Sequence, residues 1–326
     1  MYRRCISLYK NIRKMEETLE FNHTPVMLNE CIEGLNIKPS GIYVDGTLGG
    51  AGHSSVIASK IDGGKLICID KDTDALKVAG ERLSKYKCVT LVKSDFKAFA
   101  SIMDDLGIDK VDGVLLDLGV SSYQLDTADR GFSYRFDGPL DMRMDKESDF
   151  SAYNVVNEYS IEELSRIIRD YGEEQFARNI AKNIVNARAN KPIETTAELN
   201  SIVEMSIPRK LWGKGSVAKK TFQAIRIEVN NELRGLDKVL YDIINRLNTG
   251  GRLAVITFHS LEDRIVKNVF KDCATGCICD RSIPICVCGH TASVKLVNKK
   301  PIEASKDELD NNRRSSSAKL RVIEKI

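Results

Sequence analysis

From Phe21 onward the sequence alternates short strand-like runs with helix-like ones, and that alternation most narrows the folds open to the chain. It is the pattern of a parallel sheet covered by helices on both faces. Gly41–Asp45 (G-I-Y-V-D), Lys65–Asp70 (K-L-I-C-I-D), Cys88–Lys93 and Val111–Leu118 (V-D-G-V-L-L-D-L) read as four buried strands. A fifth, Leu253–Phe258 (L-A-V-I-T-F), is set up by the turn pair Gly250-Gly251 and arrives more than a hundred residues after the fourth. A single crossover does not need that length, so a helical subdomain is expected over 145–215. Two capping-box pairs start helices there, Ser160 with Glu163 and Thr195 with Glu198. Ile161, Leu164, Ile167 and Ile168 share one apolar face, and Phe176, Ile180 and Ile184 continue the pattern. The core is then discontinuous, 21–144 with 216–326, behind a basic N-terminal extension at 1–20.

Composition removes several classes. With 326 residues, 42% hydrophobic and 29% charged, the chain can bury a large core, which argues against disorder. No window approaches the roughly 18 uninterrupted apolar residues of a membrane span. A net charge of +3 is too small to indicate a nucleic-acid partner unaided, so any basic surface is local. Of nine cysteines, four are scattered and five fall between Cys273 and Cys288, a split that suits a reducing cytoplasm rather than a secreted disulfide framework. The first fourteen residues carry Arg3, Arg4, Lys10, Arg13 and Lys14 without an acid or an apolar core, which fits an extension or an upstream start before Met15 better than a signal peptide.

The first strand runs into Asp45–His53 (D-G-T-L-G-G-A-G-H), and a helix follows from about Ser54. Four glycines in seven positions, Gly46, Gly49, Gly50 and Gly52, let the backbone approach a ligand and bare the amides of the helix start. Asp70 closes the second strand twenty residues after Gly50, the spacing at which an acid accepts hydrogen bonds from a ribose diol. An adenosine-containing cofactor is the natural reading. A nicotinamide fingerprint lacks its last glycine here, because Ser55 stands in that place. In methyltransferases using S-adenosylmethionine, an acid at the position of Asp45 lies near the amino-acid moiety of the donor. Phe96, after the third strand, either flanks adenine or packs in the core, and Asp117, ending the fourth, either faces the reacting centre or is a structural carboxylate.

Further motifs extend the pattern. They are D-L-G-V-S-S-Y-Q-L-D from Asp117, R-G-F-S from Arg130, D-G-P-L-D-M-R-M-D from Asp137, Y-G-E-E from Tyr171, T-F-Q-A-I-R-I from Thr221, F-H-S-L-E-D-R from Phe258, and a closing R-S-S-S-A-K-L-R from Arg314. In this order they resemble the ribosomal small-subunit methyltransferase H family, also called MraW, from about His23 to the C-terminus. The resemblance implies a class I S-adenosylmethionine-dependent methyltransferase fold, a Rossmann-like doubly wound sheet with an inserted helical subdomain. It implies N4 methylation of a cytidine in the decoding region of bacterial 16S ribosomal RNA. Cofactor contacts carried over fall on Ala51, Gly52, His53, Asp70, Phe96, Asp117 and Gln124, although Ala51 stands where relatives can have glycine and suits the loop only if its φ is negative.

Asp117 is the candidate acceptor for an amine N–H, and His259 either contacts RNA, orients a neighbour or is a satisfied structural histidine. A helix expected over Thr221–Leu233 buries Phe222, Ile225, Val229 and Leu233 and leaves Gln223, Arg226 and Asn230 as a polar stripe for the RNA. Cys277, Cys279, Cys286 and Cys288 form two C-x-C pairs that either bind zinc, with Cys273 and His290 as substitutes, or stay reduced thiols in a loop. The rival functions are a nicotinamide oxidoreductase and a non-enzymatic zinc-containing RNA-binding module.

Overall fold

The computed structural model describes residues 25–212, 216–280, 285 and 287–326, so the basic stretch 1–20 and Cys286 lie outside the described residues. The chain runs through α1 (Leu28–Leu35), β1 (Ile42–Asp45), α2 (Gly52–Lys60), β2 (Lys65–Asp70), α3 (Thr73–Leu83), β3 (Val89–Lys93), α4 (Phe99–Asp105), β4 (Val111–Asp117) and α5 (Ser122–Asp126). Four helices follow, α6 (Ala152–Glu158), α7 (Ile161–Asp170), α8 (Ala177–Arg188) and α9 (Thr196–Ser206). The remainder is α10 (Lys219–Asn230), α11 (Leu236–Asn245), β5 (Leu247–Thr257), α12 (Ser260–Ala274), β6 (Val294–Leu296), β7 (Ile302–Glu303), α13 (Lys306–Asn311) and β8 (Lys319–Lys325).

The strands form one sheet in the order β3-β2-β1-β4-β5-β8-β6, with β7 also on β8. The five strands expected from sequence are parallel to one another, and β8 closes the sheet antiparallel to β5. Side chains alternate across the pleat. Val44, Ile67 and Val114 enter a cluster with α4, α11 and α12, while Tyr43, Leu66, Cys68 and Leu115 enter one that includes Ile57 of α2 and Leu35 of α1. Burial on both faces explains the near-continuous apolar runs in β2, β4 and β5.

Strand β5 starts six residues earlier than the apolar run Leu253–Phe258 suggested. Gly250, at φ +80°, and Gly251 lie inside it and not in a turn before it, because the register jumps from Leu247 opposite Val111 to Arg252 opposite Gly113. The extra residues form a bulge, which needs glycine's left-handed freedom.

Helices α6 to α9 share a separate apolar cluster with Leu164, Ile167, Ile168, Ile180 and Ile184 at its centre. Both capping boxes on Ser160 and Thr195 are formed. The cluster reaches beyond 145–215, taking in Phe132, Leu140 and Met142 on one side and Phe222 and Ile225 on the other. The segment from Asp137 to Asp145 is an ion-paired loop, in which Arg143 Nη2 meets Asp141 Oδ2 at 2.6 Å. The Y-G-E-E turn joins these helices to the start of α12: Glu173 Oε2 accepts from the Ser260 hydroxyl at 2.6 Å.

Candidate active site

The sheet order changes direction between β1 and β4, which opens a crevice at the carboxyl ends of those strands. A cavity of about 570 Å³ occupies it, a size ordinary for small-molecule sites. Of the expected cofactor contacts, Gly50, Gly52, His53, Asp70, Phe96, Asp117 and Gln124 line it. Ala51 lies beneath, fully buried.

The loop between β1 and α2 is held from below. Asp45 is buried, with Oδ2 accepting from the Ser54 hydroxyl at 2.6 Å and Oδ1 from Thr47 N at 3.1 Å. Its carboxylate ties the loop to the start of α2, and Asp45 is not among the residues that line the cavity. Thr47 Oγ1 accepts from Asp117 N at 2.6 Å and so fastens the loop to β4. Space is tight where glycine is required: a Cβ on Gly52 would sit 2.2 Å from Pro25 Cγ, and one on Gly46 would sit 2.5 Å from Leu116 Cδ2. Ala51 takes φ +59°, against the expectation of a negative value, because it is the left-handed cap of α2. A side chain there costs about 1 kcal/mol. Ser55, at the missing nicotinamide glycine, donates its hydroxyl to Ala51 O at 2.6 Å.

Asp70 accepts from Gly49 N at 2.8 Å and from Asp72 N at 2.9 Å, so two amides aim its carboxylate into the cavity. Burial pushes its pKa up to about 6, and those N–H groups pull the other way. Phe96 lines the cavity and also packs against the core. Gln124 closes the capping box of α5 and donates from Nε2 to Asp72 Oδ2 at 2.8 Å.

Asp117 is the most perturbed carboxyl lining the cavity. A quarter of its side chain is exposed, yet Oδ1 is sealed and has no hydrogen-bond partner. Burial, then the charges of Asp45 and Glu262, push its pKa up to about 8. His53, whose pKa burial lowers to about 4, is neutral. Its Nε2 lies 3.0 Å from the carbonyl of Val26, which can only accept, so Nδ1 presents a lone pair 3.8 Å from Asp117 Oδ2.

The opposite wall holds a second charged group. His259 is nearly buried, with Nε2 3.1 Å from Glu262 Oε1, and the other Glu262 oxygen accepts from Phe258 N at 3.0 Å. Burial alone would raise Glu262, but His259, Arg226 and the Phe258 amide hold it below the usual carboxylate range. Arg226 makes a two-pronged bond to Glu232, 2.8 Å at each prong. Gln223 lines the cavity and donates to Tyr171 O at 3.0 Å. Asn230 leaves the proposed RNA stripe: it accepts from Met144 N and donates to Met142 O, both at 2.7 Å, and so latches the 142–144 backbone. Helix α10 ends at Asn230, where Asn231 turns left-handed at φ 53°, so Val229 is half-buried near the end and Leu233 lies beyond it.

Three features escaped sequence reasoning. Asp72 and Arg130, 2% and 4% exposed, pair at 2.8 Å under the Asp70 turn. Thr47 bridges two strands. Tyr134, Arg135 and the exposed Phe136 flank the cavity, following directly on the R-G-F-S motif. A cap-forming acid after β2 was legible in D-K-D-T-D, but its distant arginine was not.

A family model described as the MraW methylase family matches residues 20–326. The chain belongs to that family. It is 58% identical over 309 residues to the ribosomal RNA small subunit methyltransferase H of Clostridium botulinum (strain Loch Maree / Type A3), covering 94% of this chain and all of the relative. The protein of the same name from Clostridioides difficile (strain 630) is 56% identical over 311 residues with the same coverage. Among solved structures, an rRNA methylase from Streptococcus thermophilus aligns at 12% identity over 92% of this chain and 93% of that one, with a TM-score of 0.38. As an MraW methylase the chain has a class I fold, and S-adenosylmethionine is its methyl donor. The crevice fits that donor: Gly46 and Gly52 leave no room for a Cβ, Asp70 is aimed by two amides, and Asp117 Oδ1 is buried without a partner. No helix of the described residues is long and apolar enough to cross a membrane.

Proposed function

We propose that this chain methylates the exocyclic N4 amine of a cytidine in the decoding region of 16S ribosomal RNA, acting on the small subunit in the cytoplasm. The names of the relatives and the motif resemblance support the ribosomal RNA substrate. The observation that carries the amine chemistry is Asp117, a carboxyl with one unpartnered buried oxygen at the switch point of the sheet.

When bound, the donor supplies an electrophilic methyl on a sulfonium, accepted by an amine nitrogen as the carbon–sulfur bond breaks. The protein's work is placement. Asp70 holds the ribose hydroxyls, Phe96 flanks the adenine, and the loop from Gly49 to His53 carries the amino-acid end. Cytosine N4 is a weak nucleophile because its lone pair is delocalised into the ring. The Asp117 carboxylate, a quarter of whose side chain is exposed to the crevice, accepts one N–H, favours a pyramidal nitrogen and stabilises the charge that develops there; the proton leaves to Asp117 or to water. His259 is a positioning residue in this scheme, since its ring faces Glu262.

The RNA side is the flank opposite the glycine loop. Arg135, Lys219 and Arg313 are exposed and line the cavity, which places cations for phosphates. Phe136, 47% exposed beside Tyr134, offers a face on which an extruded base can stack. Gln223 lines the same cavity and offers a polar contact for a base edge. The helices from α6 to α9 extend this flank and serve substrate recognition.

Methyl transfer from labelled S-adenosylmethionine to small-subunit particles, with nucleoside analysis, tests the reading. N4-methylated cytidine is expected. A label on another atom or base refutes the amine assignment. Normal turnover with normal donor affinity in Asp117→Asn eliminates both roles given to that residue.

A further inference from the structure

Between the end of α12 at Ala274 and β6 at Val294 the described residues form neither helix nor strand. Among the described residues of this loop the aliphatic side chains face outward, Ile278, Ile285 and Val287 being 62%, 75% and 76% exposed. What its described residues bring together is sulfur, from the exposed Cys277 and Cys288 and the half-buried Cys279. The Sγ atoms of Cys277, Cys279 and Cys288 all lie within 4.8 Å of one another, and Cys277 and Cys288 approach to 3.8 Å. A tetrahedral zinc with Zn–S bonds near 2.3 Å sets its sulfurs about 3.8 Å apart.

Backbone donors turn toward the same sulfurs. Val287 N lies 3.4 Å from Cys279 Sγ, and His290 N lies 3.4 Å from Cys288 Sγ. N–H donors of this kind stabilise thiolate and tune a metal's ligands. The two ends of the loop are tied, Ser293 N to Cys273 O at 2.9 Å and His290 Nδ1 to Gly276 O at 2.6 Å. Cys273 itself packs on the sheet's core, which removes it as a substitute ligand, and the His290 ring is engaged with a carbonyl. Cys286 lies outside the described residues.

We propose that Cys277, Cys279 and Cys288 are thiolate ligands of a zinc ion that closes this loop. Each thiol releases its proton on binding, and no electron is exchanged. None of the three cysteines lines the crevice, so the ion is structural and stands apart from methyl transfer. The ion then supplies the cross-link that holds Cys277, Cys279 and Cys288 together while Ile278, Ile285 and Val287 point outward.

The test is metal analysis of the full chain purified under reducing conditions without chelator. Zinc near one per chain is expected, lost in Cys277→Ser, Cys279→Ser and Cys288→Ser and retained in Cys88→Ser. Cobalt loaded in its place is expected to show thiolate-to-metal charge-transfer absorption. Chelation should speed proteolytic cleavage between Ala274 and Val294 while leaving donor binding unchanged. Zinc far below one per chain together with no cobalt band overturns the proposal, as does zinc that survives all three serine variants.

Discussion

Replacing Arg130 with methionine isolates the largest single electrostatic commitment beneath the site. The guanidinium donates to Asp72 Oδ2 at 2.8 Å, Asp74 Oδ2 at 3.3 Å, Arg143 O at 2.8 Å and Met144 O at 3.2 Å. Methionine fills much of the volume and makes none of these bonds. Asp72, 2% exposed, would keep Gln124 Nε2 and Asp74 N but lose its counter-charge. Removing one partner of a buried pair destabilises by about 3–5 kcal/mol, because an uncompensated charge stays behind. The turn carrying Asp72 N also aims Asp70, so donor affinity should fall as well. Urea unfolding followed by circular dichroism measures the first effect and titration calorimetry the second. Adding Asp72→Asn to Arg130→Met removes the stranded charge, so the double variant should recover at least about 1 kcal/mol relative to additivity. A loss below about 1 kcal/mol in the single variant, or strict additivity in the double, refutes this reasoning.

Four other outcomes follow from the same geometry. The Asp117 carboxyl must be ionised to accept an amine proton, so kcat/KM is expected to rise with pH through about 8 and the rise to vanish in Asp117→Asn. The folded chain keeps that proton to about pH 8 while an unfolded aspartate releases it near 3.8, so unliganded protein should lose stability as pH rises across that window, measured by denaturant midpoints. Ala51→Gly relieves a left-handed alanine at φ +59° while deleting a buried methyl, so unfolding free energy should change by less than about 1 kcal/mol. Gly52→Ala forces a Cβ to 2.2 Å from Pro25 Cγ, so donor affinity should drop at least about tenfold by calorimetry.

The sheet was legible because parallel strands buried on both faces, such as β2 and β4, write themselves as apolar runs; β1 to β4 begin and end within a residue of the runs read from sequence, although the edge strand β3 is largely exposed. The antiparallel closing strand β8 was not recognised: Lys319–Lys325 alternates polar and apolar residues on a partly exposed ladder. The glycine loop and Asp70 were legible because φ and close approach limit residue type there. Local spacing could not place Arg130 against Asp72, 58 residues apart, nor turn Asn230 inward against Met142 and Met144, 88 and 86 residues away. Ala51 shows the converse, a residue whose ordinary identity hides a left-handed backbone. Partners distant in sequence decide whether a polar side chain serves the ligand or the fold.

The central claim is a donor pocket built from the Gly49–His53 loop and Asp70. Calorimetric titration of the folded chain with S-adenosylmethionine tests it most directly, with Asp70→Asn in parallel. The account expects one donor per chain and markedly weaker binding in the variant. Folded protein that binds neither the donor nor its demethylated product, or that binds equally well without the Asp70 carboxylate, contradicts it.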